Sequence, residues 1–531
     1  MRKTLSILTL LAGCGLLAAS ALGSASQSPP AHTFRWSLSV DIDHVDPALA
    51  YSTQSWALEY ATGALLFNYP DAPAPRGARL VPEVASGFPA ISRDGRTYTF
   101  RLRTTYRFSD GRRVWAANFV RAFQRARNRR PETPAARFIS DVVHLAALGR
   151  HRLRIKLRKP AGDLLARLAM PFFMAIPTDT PDAIDGIGAP VVSAGPYFIQ
   201  EWTKNRRIIL ERNRFYRGPR PHRVNRIHVD IGLPLETIKL NIDSGRADTG
   251  DIPAAAHAEL GDRYGVRRRS PGRYLANPAG TILYLAFNHD RPLFGGPTPL
   301  GNIRLKKAIN FAIDRRAMMD QYGAYAGTVH DQLLPPTIRG FRDVSIYPRR
   351  PDLARARALA EGALRSNIQG ILHCNNRSPS PQVCQLVQSN LRAIGLNIDV
   401  RLHRNCFPPC GTSRRGEPFD LSLERWHVDY FDPSNFALLI DGRTIRATDN
   451  TNVSYFNSPA YNRKVARAAG LSGPPRYRAF SALDHDLMRN AAPIAVYGVP
   501  NDRHYVSART GCYHHHPVYG WDFPAICLRR Y

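Results

Sequence analysis

Three groups of residues in this sequence have types and spacings that could support chemistry. The first comprises Asp41, Asp43 and Asp46, whose carboxylates could bind a hard cation such as Ca²⁺. Their spacing differs from that of a calcium-binding loop, and Pro47 follows directly. A turn at the end of a strand is therefore the favoured interpretation of this segment.

The second group is the run of three histidines at 514–516, close to Cys512. Imidazole is a common ligand of zinc and copper. Successive side chains of a strand point to opposite faces, so three adjacent histidines cannot all turn toward one ion. A loop with a partly solvated face is favoured over a metal site.

The third group is the segment 424–433, ERWHVDYFDP, which follows a predicted strand at 420–423. It combines aromatic side chains with carboxylates. A pocket for a small ligand often has apolar walls and a few polar groups that converge on the ligand. The alternative is a corner between a strand and a loop, with Trp426 in the core.

Signatures of common enzymes are absent from the sequence. It contains no His-Glu-x-x-His, no Gly-x-Ser-x-Gly, no P-loop and no Gly-x-Gly-x-x-Gly after a strand. We therefore predict neither an enzymatic activity nor a cofactor. An exported metal-dependent hydrolase that uses the histidine run is the competing hypothesis from a different class of proteins.

Periodic patterns predict the elements that must position these groups. Strict alternation predicts strands at 98–103 and 152–158, the second with one apolar and one cationic face. Helical spacing predicts helices at 115–128 and 302–314. A nearly continuous apolar run at 281–288 indicates a buried strand.

The region 370–402 reads as strand, helix and strand, which implies a parallel sheet. The helix is predicted at 381–394, and Gly395 is its stop signal. The segments 267–280 and 471–475 are predicted to be linkers.

The N-terminus has the order of residues that is typical of an export signal. Arg2 and Lys3 precede 18 uncharged residues, and small residues follow at 23–25. We predict a signal peptide at 1–25. The alternative is a lipoprotein signal at 1–13, in which Cys14 would carry the lipid. Both alternatives place the mature chain outside the cytoplasm.

Six further cysteines form an even set in a chain that is predicted to be exported, which suggests disulfides. The simplest pairing joins neighbours, although six cysteines allow fifteen connectivities. A zinc site would require paired Cys-x-x-Cys motifs, which are missing. The predicted pairs are Cys374 with Cys384, Cys406 with Cys410, and Cys512 with Cys527.

The chain of 531 residues carries a formal net charge of +31, and 65 of its 73 basic residues are arginine. Such a charge could favour polyanions. Export argues against a nucleic-acid partner, and the cations are spread along the chain rather than clustered. A cell-surface binder of polyanions is therefore kept only as a third hypothesis.

Short sequence blocks follow one another in order from about residue 36 to the C-terminus. The most specific are DGRTYTFRL at 94–102 and FSDG at 108–111. In this order the blocks resemble the extracytoplasmic solute-binding proteins of ATP-binding-cassette (ABC) importers, in the large peptide-, oligopeptide- and nickel-binding family (family 5). The other blocks are VDPALAY at 45–51, LVPEVA at 80–85, GPY at 195–197, ERNRFYRG at 211–218, LAFN at 285–288, RLKKAINFAIDR at 304–315 and WHVDYFDP at 426–433.

The resemblance implies an α/β fold of two lobes, of the periplasmic-binding-protein type (type II, large peptide-binding class), which close on a ligand like a hinge. The first lobe would contain residues 32–283 and 493–531, with an extra subdomain near 80–190. The second lobe would contain residues 284–492.

The resemblance also implies the function. The chain would bind peptides in the cleft between the lobes and deliver them to the permease subunits of an ABC transporter, as a monomer. In peptide-binding relatives an aspartate of the late block pairs with the α-ammonium group of the peptide, and Asp429 holds that position here. Trp426, His427 and Tyr430 are the further predicted ligand-binding residues. A metal chelate or another small solute is the alternative ligand.

Overall fold

The computed structural model describes residues 32–529, except 75, 129–133, 184, 270, 298–301, 364–368 and 405–410. The predicted signal peptide, Cys14 and the predicted pair Cys406–Cys410 lie outside the described residues. Within the described ranges, no helix is long and apolar enough to cross a membrane.

A five-stranded sheet contains the first described strand at its interior. Thr33–Leu38 runs parallel to its two neighbours in the sheet. Its Trp36 ring lies 5.0 Å from the ring of Phe523, so residues from both ends of the chain form one core. In spatial order the strands are Thr249–Gly250, Thr33–Leu38, Arg226–Ile231, Arg207–Arg212 and Tyr197–Thr203.

A four-stranded antiparallel sheet lies in the region 90–157. Its longer strands have one buried and one exposed face, as the alternation predicted: Leu153, Ile155 and Leu157 are fully buried. The helix Ala116–Asn128 packs on the buried face. In spatial order the strands are Ala90–Ile91, Thr97–Arg101, Arg152–Leu157 and Val142–Ala147.

An eight-stranded mixed sheet contains the buried strand that the apolar run predicted, Thr281–Phe287, all of whose residues are buried. The long strand Ile494–Tyr505 pairs first with Thr281–Phe287 and then with Tyr274–Pro278. In spatial order the strands are Val266–Arg267, Tyr274–Pro278, Ile494–Tyr505, Thr281–Phe287, Leu421–His427, Gln369–Asn375 and Asn397–His403, and Gly327–Val329 pairs with Ile494–Tyr505.

The predicted unit of strand, helix and strand is confirmed. Gln369–Asn375 and Asn397–His403 are parallel, and the helix Ser380–Arg392 connects them. Three of the predicted bounds were wrong. The linker 267–280 contains a strand, the segment 471–475 includes the start of a helix at Gly473, and the strand predicted at 420–423 continues to His427.

Helices cover the sheets and connect their strands. One apolar cluster runs without interruption from the four-stranded sheet to the eight-stranded sheet. The helices are Thr53–Thr62, Ala116–Asn128, Pro134–Arg137, Leu164–Arg167, Leu235–Asp243, Ala256–Tyr264, Ile303–Ala312, Arg315–Asp320, Leu353–Ala360, Ser380–Arg392, Ser434–Ala437, Pro459–Gly470 and Gly473–Asp486. The short two-stranded pairs are Phe67–Asn68 with Val81–Pro82, Thr510–Gly511 with Cys527–Leu528, and His515–His516 with Gly520–Trp521.

The three early aspartates stabilise backbone and neighbouring side chains, in agreement with the predicted turn. Asp41 accepts hydrogen bonds from two backbone amides, and Asp43 accepts from the amides of Tyr51 and Ser52. Asp46 is fully buried and forms a two-pronged ion pair with the equally buried Arg125, at 2.9 and 2.8 Å.

Two of the predicted disulfides are present. Cys374 is joined to Cys384, and Cys512 is joined to Cys527. The first joins a strand to the helix that follows it, and the second links the short strands of the C-terminal region. The simple pairing by neighbours was therefore correct for these four cysteines.

Replacing Cys512 and Cys527 together by serine is expected to lower the free energy of unfolding by about 3 kcal/mol, because the closed loop of 15 residues restricts the unfolded chain. Urea denaturation of the oxidised protein measures this loss. Reduction of the wild type breaks Cys374–Cys384 as well, so the reduced wild type is compared with the reduced variant, in which neither disulfide remains. An unchanged urea midpoint would contradict the stabilising role of this disulfide.

Candidate functional site

The late aromatic motif begins on a strand and ends at a helix. In the strand Leu421–His427, Trp426 lies opposite Ile282 and His427 lies opposite Thr281. The chain then leaves the sheet, and Ser434 begins a short helix. This change of direction places the loop between them against residues from the first half of the chain.

Asp429 is the buried carboxylate at the centre of this loop, with only 6% of its surface exposed. Its Oδ1 accepts a hydrogen bond of 2.8 Å from the hydroxyl of Tyr51, and its Oδ2 accepts one of 2.9 Å from Nδ2 of Asn435. Tyr51 is 378 residues away in the sequence, so the contact joins distant parts of the chain.

Asn435 holds the site together through its side-chain amide. Its Oδ1 accepts hydrogen bonds from the indole nitrogen of Trp426 at 3.0 Å and from the backbone nitrogen of Asp429 at 3.1 Å. With both donors on the oxygen, the amide nitrogen is turned toward the carboxylate. Trp426 thus helps to orient Asp429 although it does not contact the carboxylate oxygens.

Burial raises the pKa of Asp429 to about 6, and the hydrogen bonds from Asn435 and Tyr51 and the charge of Arg137 act in the opposite direction. Among the described residues, no cation forms an ion pair with this carboxylate. A buried carboxylate gains most from a cation that reaches it by direct contact, because the low dielectric strengthens the attraction. The site is therefore suited to a ligand that supplies an ammonium group.

Aromatic rings pack against Tyr51, which donates a hydrogen bond to the carboxylate, and against Tyr430, the residue that follows Asp429. The ring of Tyr51 lies 5.8 Å from that of Trp56 and 5.9 Å from that of Phe172. Tyr430 packs edge-on against Phe138 at 5.9 Å. The arrangement combines apolar walls with one polar cluster, as pockets for small ligands do.

The hydroxyl of Tyr430 has two polar partners. Its hydroxyl lies 3.3 Å from a carboxylate oxygen of Asp163 and 3.3 Å from the hydroxyl of Ser434. Asp432 forms a buried ion pair with Arg476 at 2.7 Å. These contacts stabilise the loop in which Asp429 lies.

His427 lies apart from the carboxylate cluster. Its Nδ1 is 2.7 Å from the hydroxyl of Thr281, its partner on the neighbouring strand. Burial lowers the pKa of His427 to about 4, although the charge of Asp502 raises it. The structure brings Trp426 and Asp429 together through Asn435, whereas His427 contacts another part of the molecule.

Two of the three histidines of the run are buried in a strand and the third, His514, is partly exposed, so the predicted loop with a partly solvated face was wrong for His515 and His516. His515 and His516 form a short strand and are 7% and 0% exposed. His516 stacks on Tyr519 and accepts hydrogen bonds from backbone amides. His514 lies 2.8 Å from a carboxylate oxygen of Asp522. In the part of the chain that the structure describes, no group of three or more His, Cys, Asp or Glu residues is arranged to hold a metal ion.

Sequence reasoning missed two members of the site. Tyr51 ends the block VDPALAY, but nothing in that block indicates a partner nearly 400 residues away. Asn435 lies six residues after Asp429, just beyond the WHVDYFDP block. No helix was predicted at this position, so no signal in the sequence indicated that Asn435 contacts the loop.

The sequence matches a protein-family model over most of its length. Residues 79–446 match the model of bacterial extracellular solute-binding proteins, family 5. Similar proteins include heme-binding protein A of Haemophilus influenzae, 23% identical over 76% of each chain. The periplasmic oligopeptide-binding protein OppA of Salmonella typhimurium is 21% identical over 79% of this chain and 78% of its own.

Solved structures have the same fold. Clavulanic acid biosynthesis oligopeptide binding protein 2 superposes with a TM-score of 0.83 at 23% identity, over 94% of this chain and 95% of that one. The periplasmic binding protein DppA of Helicobacter pylori, in complex with the peptide STSA, superposes with a TM-score of 0.77 at 21% identity, over 94% of this chain and 98% of its own. The predicted two-lobed α/β fold is thereby confirmed.

Proposed function

The chain belongs to the bacterial extracellular solute-binding proteins of family 5, and from this membership we propose that it binds peptides between its two lobes and delivers them to the permease of an ABC importer. The proposal involves no catalytic turnover. It places the mature chain outside the cytoplasm, in the periplasm or at the cell surface, and assigns the binding step to a monomer.

The observation that carries the proposal is the buried carboxylate of Asp429, which lacks a cationic partner among the described residues. An extended peptide supplies an ammonium group at one end and backbone amides along its length. The ammonium group would replace or join the hydroxyl of Tyr51 at the carboxylate. Trp426 and Tyr430 would line the cleft on either side of this group.

The lobe boundaries are part of the proposal. The strand Ile494–Tyr505 pairs with Thr281–Phe287 at one end and with Tyr274–Pro278 at the other, which supports a crossing near residues 283 and 493. The contacts of Asp429 with Tyr51 and of Tyr430 with Asp163 would then join the two lobes. A metal chelate receives no comparable support, because His427 lies apart from the carboxylate cluster.

Short peptides with a free amino terminus are expected to raise the melting temperature of the purified protein by a few degrees. A ligand at 100 times its Kd stabilises the native state by about 2.7 kcal/mol. Differential scanning fluorimetry with a library of di- to pentapeptides measures the shift. Mass spectrometry of ligands released from protein purified without denaturation identifies the natural ones.

The matched control is the same peptide with an acetylated amino terminus, which keeps the length and the side chains but removes the positive charge. We expect it to leave the melting temperature unchanged. If acetylated and free peptides stabilise the protein equally, the ammonium group is not recognised. If neither binds and a chelate is released instead, the peptide proposal fails.

A further inference from the structure

The four-stranded sheet has one face that is unusually rich in positive charge. Residues that lie directly opposite one another on neighbouring strands share a face. Arg101 lies opposite Arg152, and further pairs place Arg154 and Lys156 on the same side. These four residues, which we call the cationic face, are all exposed. The other side of the same strands is buried in the core.

The exposed side of these four strands carries no acidic side chain. Directly opposed like charges destabilise a sheet, so the pair Arg101–Arg152 is a cost to the fold. None of the four cations forms a side-chain hydrogen bond or an ion pair with any described residue. Nearby arginines differ in this respect, since Arg96 pairs with Asp94. The other side chains of the same face are Ala90, Thr97, Thr99, His144 and Ala146.

The geometry of the cationic face is that of a flat array. Neighbouring strands are about 4.8 Å apart, and alternate residues along a strand are about 6.7 Å apart. Arg152, Arg154 and Lys156 follow one strand at alternate positions, and Arg101 lies beside Arg152 on the next strand. The exposed face of a sheet presents them side by side, so the negatively charged surface of a lipid bilayer can approach all four at once.

We propose that the cationic face docks the protein onto a membrane that contains anionic phospholipids. Lysine and arginine side chains near an anionic bilayer each strengthen binding about fivefold at low salt. The interaction weakens with ionic strength, because the charges are exposed and are screened. Such docking does not depend on which solute the cleft binds.

Sedimentation with vesicles tests this proposal on purified protein that carries no lipid. The vesicles contain 30% phosphatidylglycerol in phosphatidylcholine, or phosphatidylcholine alone. The variant Arg101→Gln, Arg152→Gln, Arg154→Gln, Lys156→Gln removes the cationic face. The matched control removes three other exposed arginines and one exposed lysine, Arg268→Gln, Arg350→Gln, Arg463→Gln and Lys204→Gln, so both variants have the same net charge.

We expect the wild type and the control variant to bind the anionic vesicles. The variant without the cationic face should bind them at least about 50-fold more weakly. In 0.5 M NaCl all three proteins should be released from the vesicles. Equal weakening in both variants would show that only net charge matters and would overturn the proposal. Equal binding to neutral vesicles would also overturn it. A third result would overturn the proposal as well: soluble polyphosphate displaces the vesicles, and its binding depends on the four residues to the same extent. The cationic face would then recognise any polyanion rather than a membrane. Peptide binding in the cleft, measured on the same samples, reports separately on the proposed function.

Discussion

Replacing Asp429 by asparagine is expected to weaken the binding of a peptide with a free amino terminus by about 100-fold. Removal of one partner from a buried, hydrogen-bonded charge pair costs about 2–5 kcal/mol of binding energy, mostly because the other charge remains buried without a partner. The substitution keeps the size of the side chain. Isothermal titration calorimetry at pH 7.5 measures the change.

Asp484→Asn is the matched control for this substitution. Asp484 is another buried aspartate, 1% exposed, and burial raises its pKa to about 7. Its carboxylate accepts hydrogen bonds from backbone amides at 333 and 334, away from the Asp429 cluster. We expect this variant to lose stability but to bind peptide with unchanged affinity. Equal loss of affinity in both variants would refute the ammonium site.

The pH dependence of binding follows from the same carboxylate. The raised pKa of Asp429, about 6, means that its protonated form accumulates below pH 6 in the free protein. An ammonium group binds the ionised form, so affinity is lost as the pH falls through 6. We expect about a tenfold weaker affinity at pH 5 than at pH 7 in the wild type and no such trend in the Asp429→Asn variant.

Replacing Arg125 by methionine is expected to lower the free energy of unfolding by about 3–5 kcal/mol, because the substitution leaves Asp46 buried without its cation. The pair is almost fully buried, at 1% and 0% side-chain exposure. Arg316→Met is the matched control, since the pair Arg316–Asp320 is 64% and 55% exposed. An exposed pair contributes at most about 1 kcal/mol. Equal losses in both variants would contradict this prediction.

The contribution of Asp46 also has a defined pH window. Burial alone would raise its pKa, but the hydrogen bonds and charge of Arg125 outweigh burial and hold the pKa below its usual value. A lowered pKa stabilises the folded state at pH values above the pKa of the unfolded chain, about 3.9, and this stability is lost as the pH falls further. In Arg125→Met burial acts on Asp46 without that cation and raises its pKa, so the difference in stability between wild type and variant is largest above this raised pKa and shrinks as the pH falls from it toward the lowered pKa of the wild type.

Elements with a strong local pattern could be predicted from the sequence. The alternation at 152–158 and the apolar run at 281–288 correspond to strands. Burial of one face selects alternating apolar residues, and burial of both faces selects a continuous apolar run. The segment after 423 could not be assigned in the same way. Glu424 and Arg425 interrupt the apolar pattern, yet pairing with Thr281–Phe287 extends the strand to His427.

Properties that depend on distant contacts were the hardest to predict. Asp429 is a candidate because of its position in the late block, whereas Tyr51 joins the candidate site only through the fold. The histidine run was expected to be partly solvated because its composition is polar. His515 and His516 are instead buried in a short strand, where His516 stacks on Tyr519, and the partly exposed His514 pairs with Asp522. The basic residues of the cationic face lie on two strands, about 50 residues apart, and so they look scattered along the chain.

The packing of Trp36 against Phe523 limits the order in which a chain that emerges from its N-terminus can fold. The five-stranded sheet begins with the first described strand, but its core is completed only by residues near the C-terminus. A chain that crosses the membrane from its N-terminus therefore presents this sheet unfinished until almost all residues have emerged. The eight-stranded sheet also lacks its strand Ile494–Tyr505 until then. The four-stranded sheet, whose strands all lie between residues 90 and 157, needs no strand from the C-terminal region and can pair its strands earlier.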